Sequence, residues 1–202
     1  FRTPYLYSTD ELVDNTSLKF PLFLKPRNGS SSKDAYKVNN HAELTAYRKL
    51  VKDSIVQNYA EGNEYSVDAF LDYGSNIVTI VPRLRLATRS GEIAKGLIVK
   101  DKQIIMETKR LLKALKPIGH ITIQCIKSNK DIKFIEINPR FGGGAPMSIA
   151  CGADSCENLY RLLMGEELKY NEEYIDNLLF LRFDNCICLK GNTCIYQDRI
   201  LI

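Results

Sequence analysis

The sequence predicts an α+β protein built as two small lobes with mainly antiparallel sheets. Three observations predict it. Short apolar strands are joined by turns containing Gly, Ser and Asn, which brings each strand back beside its predecessor. Helical segments carry capping pairs, Asn40 with Glu43 and Asp154 with Glu157. A polar stretch from Gln57 to Glu64 separates a small strand–helix unit from a longer, strand-rich one.

The elements follow in order. Phe20 to Lys25 reads as a buried strand bounded by Pro21 and Pro26. A polar loop, Arg27 to Asp34, leads to a returning strand from Ala35 to Val38. Asn40 caps a helix that runs to about Val51, and Ser54 to Gln57 forms another strand. This unit, residues 1–58, is expected to pack as its own lobe. The second lobe, residues 59–202, opens with a strand in which Tyr65, Val67, Ala69 and Leu71 alternate with Ser66, Asp68, Phe70 and Asp72. Gly74-Ser75-Asn76 turns it back into a strand from Ile77 to Ala87. Ser90-Gly91 breaks that strand, and Ala94 to Lys100 resumes it. Gln103 to Lys116 has helical spacing at Ile104, Ile105, Leu111, Leu112 and Leu115, and Pro117 ends it. A hairpin then spans the segment to Asn138, followed by a Gly-rich connection into a helix that ends near Ala150. Asp154 caps a last helix, closed by Gly165, with Leu159, Leu162 and Leu163 as its apolar face. The tail from Leu178 is strand-like.

The bulk composition narrows the function classes. The chain has 202 residues, 45% of them hydrophobic and 26% charged, so it can bury a sizeable core. A formal net charge of +4 is too mild to imply nucleic acid, and aromatic residues do not interleave with the cations as a stacking surface would require. No apolar run is long enough to span a membrane, and no signal-peptide pattern opens the chain. Six cysteines lack any Cys-x-x-Cys spacing and have two histidines for company, which disfavours zinc. Reduced thiols in a cytoplasmic protein are expected, with Cys186, Cys188 and Cys194 clustered near the C-terminus. The opening Phe1-Arg2-Thr3-Pro4 reads as the middle of a longer protein.

The most informative segment is Gln124 to Gly144. Side chains alternate across a strand, so Glu136, Asn138 and Arg140 share a parity. With the turn centred near Lys130, Gln124 falls opposite Glu136, while Ile121, Ile123, Cys125, Ile135 and Ile137 form the oily face. Oxygen donors beside a cation suit a hard divalent ion such as Mg²⁺, or equally a half-exposed hairpin with a solvated face.

Four further segments add to this. Lys25 and Lys33 bracket the small-residue loop Gly29-Ser30-Ser31-Ser32, whose amides can cup a polyphosphate; a plain surface hairpin is the alternative. Gln57, Asn58, Tyr59 and Ala60 form an extended linker able to bond an adenine edge, and Glu64 can accept from ribose hydroxyls. Arg83 and Arg85 share a strand face, followed by Arg89 and Lys95, and can bind an anion or stand as surface charge. Gly142-Gly143-Gly144 lets backbone approach a ligand closely.

In this order the motifs resemble the ATP-grasp superfamily, in particular the nucleotide-binding halves of carbamoyl-phosphate synthase large chains. Ile135-Glu136-Ile137-Asn138-Pro139-Arg140 is the most specific part, supported by Phe23-Leu24-Lys25-Pro26 with the serine loop and by Glu61-Gly62-Asn63-Glu64-Tyr65-Ser66. The likeness covers roughly residues 1–168. It implies two α+β lobes clamping ATP. It also implies phosphate contacts from Lys25, Gly29, Ser30, Ser31, Ser32 and Lys33, an adenine edge along Gln57 to Ala60, and Glu64 on the ribose. Gln124, Glu136 and Asn138 would hold Mg²⁺ or Mn²⁺, with Arg140 and Asn138 catalytic. The implied activity is ligation of a small carboxylate to an amine or thiol through an acyl phosphate. The alternative is a non-catalytic or regulatory ATP-binding module, which a phosphate loop poorer in glycine than usual favours. The family's preceding domain, and a helix bearing a further phosphate-binding cation, are expected in the longer chain.

Overall fold

A computed structural model describes residues 1–14, 18–29, 32–89, 91–183, 187–190 and 193–197. Ser30, Ser31, Ser90 and Cys186 lie outside the described residues, as do the side chains of Cys188 and Cys194.

The first sheet has three antiparallel strands in the order β2-β1-β3, where β1 is Leu22–Pro26, β2 Tyr36–Val38 and β3 Ser54–Asn58. A short helix α1, Thr9–Asp14, precedes it without any signal read in the sequence. Helix α2, His41–Leu50, covers one face. Its start follows from the capping pair: Asn40 Oδ1 accepts from the Glu43 amide at 2.9 Å, and the Glu43 carboxylate accepts from the Asn39 amide at 2.8 Å. In β1, Leu22 and Leu24 turn into a cluster with Val38, Leu44 and Val56, which leaves Phe23 and Lys25 on the opposite face.

The second sheet has six antiparallel strands in the order β8-β7-β4-β5-β6-β9. These are β4 Asn63–Leu71, β5 Ile77–Arg89, β6 Glu92–Ile98, β7 Gly119–Lys127, β8 Ile132–Asn138 and β9 Leu179–Leu181. Helix α3, Lys102–Leu115, packs across one face. Asp101 caps it, accepting from the amides of Gln103 and Ile104 at 3.1 Å each. Ile104, Ile105, Leu111 and Leu112 then meet Val67, Ala69, Leu71, Ile121, Ile123 and Cys125. Each fully buried aliphatic side chain there stabilises the fold by roughly 1.5–3 kcal/mol. Leu115, expected in this stripe, is half exposed at the helix end. Helices α4, Ala145–Ala150, and α5, Ser155–Leu163, lie over the other face. The β10–β11 hairpin, Ile187–Lys190 with Thr193–Gln197, closes the described chain.

Two expectations need correction. The pairing of Gln124 with Glu136 is as expected, but the register shifts beside it: Ile123 faces Ile137, whereas Cys125 faces Phe134. Ile135 is the extra residue of a β-bulge. Beyond the bulge the parity reverses, so Phe134 and Ile132 join the core while Ile137 is exposed. The apolar face assigned to α5 also fails. Ser155 and Asn158 are buried, Leu162 packs with Phe70, Val78 and Leu168, and Leu159 and Leu163 face outward.

Candidate active site

A cleft of about 450 Å³ lies between the two sheets, within the range of small-ligand pockets. From the three-stranded sheet come Phe23, Lys25, Gly29, Ser32 and Lys33. Gln57, Asn58, Tyr59, Ala60 and Gly62 form its back edge, where β3 crosses to β4. From the six-stranded sheet come Glu64, Gln124, Ile126, Ile135 and Glu136. Phe23 on the three-stranded side and Ile126 and Ile135 on the six-stranded side are apolar lining; Lys25 and Lys33 come from the former side and Glu64 and Glu136 from the latter. Gly62 is required at the crossing: its φ is +137°, and a Cβ there would come within 2.2 Å of the Lys127 carbonyl oxygen.

The facing surface of the six-stranded sheet is built in rows. Glu136, Gln124, Ser66 and Arg83 are successive cross-strand neighbours, and Asn138, Thr122 and Asp68 form the next row. Gln124 and Glu136 therefore sit side by side. Asn138 follows on the same strand face and donates from Nδ2 to Glu136 Oε1 at 2.8 Å, and its Oδ1 accepts no hydrogen bond among the described residues. The donor set is one carboxylate and two amide oxygens. That set suits Mg²⁺ or Mn²⁺ when phosphate oxygens and water complete the shell.

Arg83, Arg85, Asn138 and Arg140 fall outside the main cleft. They line an adjoining recess of about 40 Å³ together with Ser66, Glu92, Thr122 and Gly142 to Gly144, and Gln124 borders both spaces. Arg83 is not the free cation its spacing implied. Its side chain is 1% exposed and its Nη1 donates to Asp68 Oδ2 at 2.5 Å and to Ser148 Oγ at 2.7 Å. Arg85 donates from Nη1 to Glu64 Oε1 at 2.7 Å and from Nη2 to the Gly91 carbonyl at 2.8 Å. The physical reason is burial: a guanidinium inside the fold must find a carboxylate or lose its charge's solvation. Arg140, by contrast, is exposed and donates to the Phe141 carbonyl at 3.1 Å.

A buried polar network holds this end of the site. Thr122 Oγ1 donates to Asp68 Oδ1 at 2.9 Å and accepts from the Gly142 amide at 3.1 Å, with the Arg140 carbonyl 3.3 Å away. His120 Nδ1 lies 3.0 Å from Ser155 Oγ, and its ring stacks on Phe141 at 4.1 Å. Burial opposes ionisation of Asp68, but the Arg83 charge and hydrogen bonds from His120 and Arg83 outweigh it and hold the carboxyl well below the usual range. Among the described cysteines, Cys125 and Cys151 are buried and free; burial pushes the Cys125 thiol up to about 12, so it stays protonated.

Sequence reasoning missed Asp68, Thr122, Ile126, Ile135 and Glu92. Asp68 carried a signal, as an acid in mid-strand between the apolar Val67 and Ala69. Glu92 carried another, as the lone acid among Arg83, Arg85, Arg89 and Lys95.

Solved structures share this architecture. The biotin carboxylase domain of Hydrogenobacter thermophilus 2-oxoglutarate carboxylase, in complex with MgADP, ADP and bicarbonate, superposes with a TM-score of 0.71 at 19% identity, covering 87% of this chain and 45% of that one. Staphylococcus aureus N5-carboxyaminoimidazole synthetase complexed with ADP gives 0.68 at 19% identity, covering 84% and 49%. The fold is thus the ATP-grasp fold. Within it, residues 51–181 match the family described as ATP-grasp in the biosynthetic pathway with Ter operon, and the chain belongs to that family. Among curated proteins it is similar to the carbamoyl phosphate synthase large chain of Agathobacter rectalis, 34% identical over 57% of this chain and 12% of that protein. The Clostridium beijerinckii protein of the same name is 29% identical over 81% of this chain and 17% of its own length. The chain therefore spans less than a fifth of these two relatives.

Proposed function

We propose that this chain is the nucleotide-binding core of an ATP- and Mg²⁺-dependent carboxylate–amine ligase, cytoplasmic in setting, that works through an acyl phosphate; a thiol is the alternative nucleophile. Residues 1–58 and 59–202 are the two lobes in this reading. The observation that carries it is Gln124, which borders the large cleft on one side and the recess holding Asn138 and Arg140 on the other. A triphosphate lying along the cleft would bring its terminal phosphate to that boundary, where a second substrate can meet it.

Lys25, Lys33 and the loop from Gly29 to Ser32 would hold phosphates. Gln57 to Ala60 would bond the adenine edge, and the Glu64 carboxylate, anchored by Arg85, would accept from ribose. Gln124, Glu136 and Asn138 would hold the metal, which would supply positive charge to offset that of the phosphates. The carboxylate oxygen attacks the γ-phosphorus, ADP leaves, and the amine then displaces phosphate from the acyl phosphate. Arg140 would supply positive charge against the negative charge of the transferred phosphoryl group, while the Thr122 hydroxyl fixes the backbone of Gly142, two residues further on.

Replacing Glu136 with Ala is expected to abolish Mg²⁺-dependent ATP binding by calorimetry; unchanged affinity would refute the metal assignment. A second reading, a regulatory ATP-binding module, is favoured by Ser32 and Asp34, which hold φ of 55° and 57° in the phosphate loop where glycine would be relaxed. ADP release from the intact protein with amino acids or bicarbonate eliminates it.

A further inference from the structure

We infer that Glu92 makes the small recess a subsite for a protonated primary amine, set beside the place where the carboxylate is activated. This rests on the ligase reading above and names the chemistry of its second substrate site.

The argument is a charge balance within one recess. Four charged side chains line it besides the nucleotide-side groups: Arg83, Arg85, Glu92 and Arg140. Arg83 is neutralised by Asp68 at 2.5 Å, and Arg85 by Glu64 at 2.7 Å. Glu92 is exposed and has no hydrogen bond or ion pair among the described residues. Among the described residues, what remains without an ion partner is one cation, Arg140, and one anion, Glu92, lining the same recess. A carboxylate satisfies Arg140 and leaves Glu92 unanswered; an ammonium answers it.

Steric observations agree. A Cβ on Gly143 would come within 1.9 Å of Glu92 Oε2, so the glycine turn leaves the space that the carboxylate now occupies against it. A recess of about 40 Å³ admits a small head group and no more. The amine can be carried by the activated acid itself or by the incoming nucleophile, and the chemistry at Glu92 is the same.

The test is calorimetry on the full chain with ADP and Mg²⁺ bound, using glycine, glycolate and methylammonium as probes against wild type and Glu92→Gln. Wild type is expected to bind at least one amine probe about 10- to 100-fold better than glycolate, with the gap lost in the variant. Glu92-dependent binding of glycine alone places the amine on the activated acid; of methylammonium as well, on the nucleophile. Equal binding of all probes to both proteins, with nucleotide affinity intact, overturns the subsite. A variant that loses Mg²⁺-dependent nucleotide affinity also overturns it, since Glu92 would then be a metal ligand. Wild type that fails to bind nucleotide refutes the ligase reading, and the glycine–glycolate gap, measured without nucleotide, still decides Glu92.

Discussion

The two faces of the six-stranded sheet are made by alternate residues of the same strands, yet they differ in kind. The face under α3 is apolar throughout: Val67, Ala69, Leu71, Ile121 and Ile123 meet Ile104 and Leu112. The opposite face interleaves Glu64, Ser66, Asp68, Arg83, Thr122 and Gln124, and much of it is buried just as deeply. The comparison teaches that burial alone does not make a core. One face is held by area removed from water alone; the other adds to its own apolar cluster of Val81, Ile93, Ile98 and Met147 the pairing that offsets the cost of desolvating charge.

That contrast breaks most sharply at Asp68. Asp68→Ala leaves the Arg83 guanidinium buried without its carboxylate and is expected to cost about 3–5 kcal/mol in urea unfolding. Replacing both residues with apolar ones of similar size should cost far less, and an equal loss would show that the pair itself is not the issue. The same residue sets an acid dependence. Its folded pKa is depressed below the ordinary 3.8, so its contribution is fully present above that value and lost as pH falls toward the folded one. Asp68→Asn should therefore flatten the stability profile below about pH 4, read by acid unfolding followed in circular dichroism.

On the apolar face, Leu112→Ala empties a fully buried site and is expected to cost about 2–5 kcal/mol, with no dependence on pH between 4 and 2. A pH-dependent loss would mean that the two faces are coupled through β4. Smaller still is Asn40→Ala, which removes the α2 cap on the other sheet and should cost about 1 kcal/mol. Thermal melting that shows no shift would place α2 stability in its packing of Leu44 instead.

Much of the fold was legible because it is written at short range. The Asn40 and Asp154 caps, the Pro117 stop and the pairing of Gln124 with Glu136 each depend on neighbours a few residues away or on a tight turn. The bulge at Ile135 was not legible, because an inserted residue reverses parity without any change in composition. Nor was the outward turn of Leu159 and Leu163, since α5 meets partners distant in sequence, His120 through Ser155 and Phe70 and Val78 through Leu162. In the site, the residues lining the cleft fell within the motif segments, whereas the engagement of Arg83 did not show, with partners 15 and 65 positions away.

The sequence by itself determined which strands alternate, where α2 and α5 start, and that oxygen donors and cations recur in the order of an ATP-grasp chain. Tertiary structure decided which of those charges are already paired. An ion pair depends on distance in space, and the chain brings Asp68 to Arg83 and Glu64 to Arg85 only by closing antiparallel strands into one sheet. The same closure brings Glu92 and Arg140 to one small recess, neither with an ion partner among the described residues.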